Sequence, residues 1–141
     1  MFKIVLDTNV LVSALLKDQS IPAFILSLIL QERGTLCVSK DIFTEYKGVL
    51  AGKKFRQLNQ TKVQQLLTIL EKQALWVAPQ RRFYVIKVDP EDNKFLECAF
   101  ISRADVLVTG NIKHFSMKKF YRTMILTPRG FLELAARTMS K

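Results

Sequence analysis

Histidine and cysteine are scarce in this sequence, and no apolar run is long. Two cysteines, Cys37 and Cys98, and a single histidine, His114, stand among 141 residues. The cysteines lie far apart, each inside an apolar run, with no Cys-x-x-Cys or Cys/His ligand spacing. That pattern excludes a zinc framework or a disulfide scaffold and reads as buried thiols in a reducing compartment. The longest apolar run, Pro22 to Leu30, is about half of the ~20 residues needed to cross a bilayer. Lys3 and Asp7 interrupt what would be the core of a signal peptide. The expectation is a cytoplasmic protein with no membrane partner. Neither repeats nor a low-complexity linker break the chain, so residues 1–141 are expected to form one domain. A chain of this length buries about two-thirds of its unfolded surface.

Acidic residues are also in the minority. Twenty-two Lys+Arg against twelve Asp+Glu give a formal charge of +10. On so small a chain that surplus makes a field that attracts polyanions, nucleic acid first and acidic proteins second.

Apolar patterning and breakers divide the chain into short β-branched runs alternating with helical stretches. Phe2 to Leu6, Thr35 to Ser39, "ALWVA", Val106 to Gly110 and "TMILT" read as strands, and "FYVIKV" as an extended segment. Helices are expected over Val10 to Leu16, Pro22 to Gln31, "KDIFTEYKGVL", Asn59 to Gln73, Pro90 to Arg103, and from Pro128 onward. Strands that are continuous apolar runs, separated by helices, predict a three-layer α/β/α sandwich around a mostly parallel sheet of about five strands.

In such sheets functional groups gather outside the carboxyl ends of the strands. There the sequence carries its unexpected polar residues. Asp7 ends the first strand inside "IVLDTNVLVSAL", where an unpaired buried carboxylate would cost several kcal/mol; capping the next helix is its structural alternative. Glu45 borders the apolar face of Ile42, Tyr46 and Val49, where a glutamate is usually solvated with a snorkelling stem. Asp92 shares a helix face with Phe95, Leu96 and Ala99, although Asp89 and Asp92 also resemble a capping box. Glu97 falls roughly opposite that face and reads as solvated or structural. Three carboxylates converging on one sheet edge repel unless a cation joins them, and hard oxygen ligands suit Mg²⁺ or Mn²⁺.

"VLDTNVLVSAL", Glu45, "DPEDNKFLECA" and "ADVLVTGNIKHF" together resemble the successive motifs of the PIN-domain ribonucleases. The match is to the VapC-type relatives, toxin components of bacterial toxin-antitoxin pairs. It runs from Phe2 to about Phe115. The resemblance implies an acidic pocket for Mg²⁺ or Mn²⁺ formed by Asp7, Glu45 and Asp92, and hydrolysis of phosphodiester bonds in single-stranded RNA. A homodimer and a cognate antitoxin are implied as partners. Asn111 stands where many members carry a fourth acid, and His114 where many carry Asp; an amide oxygen can ligate a cation or orient water but brings no charge. Asn9 is expected to orient Asp7, and Thr109 and Asn111 to position water or phosphate. Lys113, His114, Lys118, Lys119 and Arg122, within "KHFSMKKFYR", combine cations and aromatics suited to a nucleic-acid backbone and its bases, as do Lys53, Lys54, Arg56, Arg81 and Arg82.

Two other readings compete. A PIN-type fold that binds RNA or an antitoxin without cutting is favoured by Asn111. "VLDTNVLV" also resembles the haloacid-dehalogenase phosphatase signature, whose second acid is replaced here by Asn9.

Overall fold

The computed structural model describes residues 1–139, with the side chains of Lys54 and Met139 and residues 140–141 outside that description. Of the basic residues named above, the Lys54 side chain therefore lies outside the described residues, whereas 112–122 is described throughout.

The chain runs β1 (Phe2–Leu6), α1 (Thr8–Leu16), α2 (Ile21–Leu30), β2 (Gly34–Val38), α3 (Lys40–Leu50), α4 (Gln60–Gln73), β3 (Leu75–Trp76), α5 (Asn93–Ser102), β4 (Val106–Val108), β5 (Lys119–Phe120), β6 (Thr123–Leu126) and α6 (Pro128–Met139). Six strands form one sheet in the order β3-β2-β1-β4-β6-β5. Five are parallel, and β5 pairs antiparallel to β6 at one edge.

Successive strand residues point to opposite faces, so the burial of Ile4, Val5 and Leu6, and of Val106, Leu107 and Val108, means that both faces of the central strands are covered. Helix α5 packs on β1, β2 and β4, α6 on β4 and β6, and α2 and α4 on β2. The architecture is thus the expected α/β sandwich with a mostly parallel sheet. Among the described residues no single helix is long and apolar enough to cross a membrane.

Helix starts follow local capping chemistry. Ser20, Ser39 and Asn59 each accept a backbone N–H in the first turn of α2, α3 and α4 through their side-chain oxygens. Helix α5 ends at Arg103, whose φ of 56° places it in the left-handed region.

Three local features have physical causes. "FYVIKV" joins no strand: Phe83 and Ile86 are buried while Tyr84, Val85, Lys87 and Val88 are exposed. A spacing of three does not fit a pleated ladder. Side chains of α5 take its backbone instead, with the Asn93 carbonyl oxygen accepting from the N–H of Val85 (3.1 Å) and Ile86 (2.9 Å). Of the two readings of Glu97 the structural one holds: it is buried, accepting the Phe83 N–H at 2.9 Å and facing Arg82 at 3.3 Å. Residues 90–92 form a separate 3-10 turn ahead of α5, so the expected Pro90 helix begins at Asn93.

Candidate active site at the carboxyl edge of the sheet

Asp7 leaves the end of β1 directly into α1. Its backbone is extended, its carbonyl accepts from the Val10 N–H at 3.0 Å, and its Oδ1 accepts from the Asn9 N–H at 3.3 Å, so it caps α1. The other oxygen does something else. Oδ2 accepts the Thr109 hydroxyl at 2.7 Å, across to the residue that follows β4. Thr109 in turn accepts the Asn111 N–H at 3.0 Å. In this structure the Thr109 hydroxyl proton is directed at Asp7, so Thr109 orients that carboxylate. Asn9 contributes its backbone N–H while the residue is exposed.

Tyr46, wholly buried on α3, donates its hydroxyl to the Leu6 carbonyl at 2.7 Å, which fixes the strand end one residue before Asp7. One turn position earlier, Glu45 is half-buried. Its Oε2 accepts the Thr8 hydroxyl, and its Oε1 lies 2.6 Å from the Lys94 ammonium. Burial works against the charge on Lys94, but hydrogen bonds to Glu45 and Glu91 outweigh it and hold the ammonium above its ordinary value.

Asp92, 8% exposed, closes the 3-10 turn that precedes α5. The capping box allowed by the Asp89/Asp92 spacing is not formed: neither carboxylate caps through its side chain, and the turn is closed by the Asp92 N–H on the Asp89 carbonyl at 3.0 Å. Ligand atoms of Asp89, Asp92 and His114 lie within 4.8 Å of one another. His114 Nδ1 is 3.6 Å from Asp92 Oδ2, and both atoms are buried without a hydrogen-bond partner.

The electrostatics tie these groups into one site. Burial pushes the Asp7 carboxyl up, the hydrogen bonds from Thr109 and Asn9 oppose that rise, and repulsion from Glu45 and Asp89 adds to it. Asp92 is pushed from 3.8 to about 6, by burial first and then by the Asp7 and Asp89 carboxylates. Four acids from three segments therefore lie within electrostatic reach of one another, with Lys94 and His114 as the adjoining cationic or nitrogen groups. Carboxylates crowded in this way favour a multivalent cation. The orphaned Asp92 oxygen and the all-oxygen majority of the donor set fit a divalent ion of the Mg²⁺ or Mn²⁺ type.

Beside Glu45 and Lys94 a cleft of about 620 Å³ opens, lined also by Thr44, Arg82, Tyr84 and Pro90. Asp7 and Asp92 are not on its lining, so it approaches the acids from the Glu45 side. The predicted basic residues divide. Lys113, Lys118 and Lys119 are exposed and follow β4 in sequence. Arg122 pairs with Asp105 at 3.2 Å, and Asp105 is bonded to Lys3 at the amino edge of the sheet. Asp105 and Thr109 are separated by β4, about 13 Å at 3.3 Å per residue, so Arg122 lies at the far end from the acids and is not part of the site.

Asp89, Thr8, Tyr46 and Lys94 are site neighbours that sequence reasoning did not single out for such a role. An i, i+3 pair of acids on one tight turn was a readable signal for Asp89. Lys94 had none, since its contact with Glu45 depends on how α3 meets α5.

A mostly parallel α/β sheet with clustered acids at its carboxyl edge defines a class, and comparison with known proteins narrows it. The family model described as PIN domain matches residues 3–113. The uncharacterized protein MJ1680 of Methanocaldococcus jannaschii is 30% identical over 141 residues, 93% of this chain and 90% of that protein. A chain of VapBC2 from Rickettsia felis, bound to a DNA fragment from their promoter, shares the fold with a TM-score of 0.58 at 23% identity, covering 87% of this chain and 96% of that one. A chain of FitAB bound to an IR36 DNA fragment gives 0.57 at 23% identity, covering 89% and 94%. The chain belongs to the PIN-domain family.

Proposed function

We propose that this protein is a divalent-metal-dependent endoribonuclease acting on single-stranded RNA, the toxin of a toxin-antitoxin pair, with residues 1–141 working as one nuclease domain. The observation that carries the proposal is the electrostatic coupling of Asp7, Glu45, Asp89 and Asp92 around a buried carboxylate oxygen that has no hydrogen-bond partner. PIN domains are generally nucleases, and a phosphodiester is a substrate such a charge arrangement can handle.

In this reading Asp7, Asp92 and Asp89 hold Mg²⁺ or Mn²⁺. When bound, the ion supplies positive charge to a phosphoryl oxygen and lowers the pKa of water. The chain's own residues do the remaining work. Thr109 and the Asn9 N–H aim the two Asp7 oxygens, and Thr8 and Lys94 aim those of Glu45. Lys94 also brings a fixed positive charge to the edge of the pocket, where a phosphate would arrive. Asn111 offers an amide beside Thr109. The cleft that opens at Glu45 carries Arg82 and the 81% exposed Tyr84, a cation and an aromatic suited to an unpaired nucleic-acid strand.

VapBC2 and FitAB are each seen bound to a DNA fragment, and these two relatives in fold support an antitoxin as partner here. The phosphatase alternative needs an acid two residues beyond Asp7, where exposed Asn9 stands. A non-cutting RNA or antitoxin binder is favoured by Asn111 and by the engagement of both Glu45 oxygens. The deciding experiment is cleavage of single-stranded RNA with Mg²⁺ or Mn²⁺ by the wild type and Asp7→Asn. Metal-dependent cutting that Asp7→Asn abolishes, with the variant still folded, is the expected result. Metal binding without cutting at any concentration selects the binder.

A further inference from the structure

The acids of the proposed site account for a hard cation, but they leave His114 unexplained. The imidazole is held in place by its surroundings: the 3-10 turn Ile112–His114 follows β4, the His114 N–H donates to the Asn111 carbonyl at 2.9 Å, and the next side chain, Phe115, is buried. Its Nδ1 has no exposed surface and no hydrogen bond, and it faces the equally orphaned Oδ2 of Asp92.

At 3.6 Å the two atoms are too far apart for a hydrogen bond. Two ligand atoms each about 2.1 Å from one ion are roughly 3.0–4.2 Å apart, depending on the angle between them. The separation fits a shared ion. Asp89 lies close enough to provide the third ligand.

We propose that His114 Nδ1 is a metal ligand, completing a mixed nitrogen and oxygen set with Asp89 and Asp92, and that the site selects a first-row transition ion over Mg²⁺. The inference rests on the metal-dependent reading given above. Neutral imidazole is a borderline donor that suits Zn²⁺, Fe²⁺ and Ni²⁺ best and joins Mn²⁺, the hardest of the series, more readily than Mg²⁺, which prefers oxygen and keeps its waters.

Mn²⁺ alone and Mg²⁺ alone are titrated calorimetrically into the full chain, and the Mn²⁺-loaded protein is measured by pulsed electron paramagnetic resonance. The expected result is modulation from a directly bound nitrogen in the wild type, absent in His114→Gln, with Mn²⁺ affinity falling about tenfold or more and Mg²⁺ affinity changing less than about threefold. The wild-type spectrum needs no variant to fold. Mn²⁺ bound with no nitrogen coupling overturns the ligand assignment and leaves the acidic metal site standing. Failure of the wild type to bind either ion overturns both.

Discussion

Replacing Asp92 by Asn should stabilise the metal-free protein near neutral pH while removing its metal site. The Asp92 carboxyl is pushed from 3.8 to about 6 by burial and by Asp7 and Asp89, so the folded chain holds its proton more tightly than the unfolded chain does. Between those values the unfolded chain has lost the proton and the folded one has kept it. Stability therefore falls as pH rises through this window, and the loss is complete above about 6. At about 1.4 kcal/mol per tenfold change in proton affinity, the ceiling is about 3 kcal/mol.

Asn keeps the shape and removes the charge. Unfolding entropy of about 2.1 cal/mol/K per residue makes each kcal/mol worth roughly 3 °C for a chain of this length. In chelator at about pH 7.5 the variant should melt about 6–9 °C above the wild type, and the gap should close toward about pH 4. A residual slope of the same sign should persist in the variant, because burial also raises Asp7. Added Mn²⁺ at about 100 times its Kd should lift the wild type by about 2.7 kcal/mol and leave the variant unmoved. A variant no more stable than wild type at pH 7.5, or equally more stable at pH 4, would refute the electrostatic account of the site.

Three further substitutions probe the supports. Tyr46→Phe leaves the buried Leu6 carbonyl without its 2.7 Å donor and should cost about 1–3 kcal/mol in denaturant unfolding, with metal affinity reduced as the end of β1 loosens. Glu97→Ala leaves the Phe83 N–H unpaired and should destabilise by a similar about 1–3 kcal/mol, whereas a solvated glutamate in its place would show almost no loss. Lys94→Met removes the cation 2.6 Å from Glu45 and should tighten Mn²⁺ binding several-fold while lowering the cleavage rate; calorimetry that finds equal or weaker binding would remove Lys94 from the electrostatics of the pocket.

The parallel sheet was readable because β1, β2 and β4 are buried on both faces and so appear as unbroken apolar runs. The edge strand β5 was not, since Lys119 and Phe120 carry no periodicity and their pairing with β6 depends on Tyr121 at φ 53° closing the turn. "FYVIKV" has a strand's composition, but its hydrogen bonds go to Asn93 and Glu97, partners that only the folded chain brings near. Asp7, Glu45 and Asp92 could be picked out one by one from their places at strand ends and helix faces. Their crowding with Asp89 and His114, and the partnering of Glu45 by Thr8 and Lys94, depends on how loops following β1 and β4 meet α3 and α5. Single-sequence patterns hold no record of that geometry. For the same reason helical phase leaves Glu97 between a solvated and a structural role: it puts the residue away from Asp92 and does not reveal that residues 82–86 cover that side.

Helix α5 carries more than one acid into place. Asp92 stands at its entrance, Lys94 reaches Glu45 from its first turn, and Asn93 and Glu97 grip the backbone of residues 83–86, which help line the neighbouring cleft. One helix thus acts as a shared mount for the acids and for the strap beside them, so neither can shift without the other. The amides of Phe83, Val85 and Ile86 belong to no sheet, yet they should exchange with solvent only when α5 itself opens, reporting the mechanical unity of floor and wall.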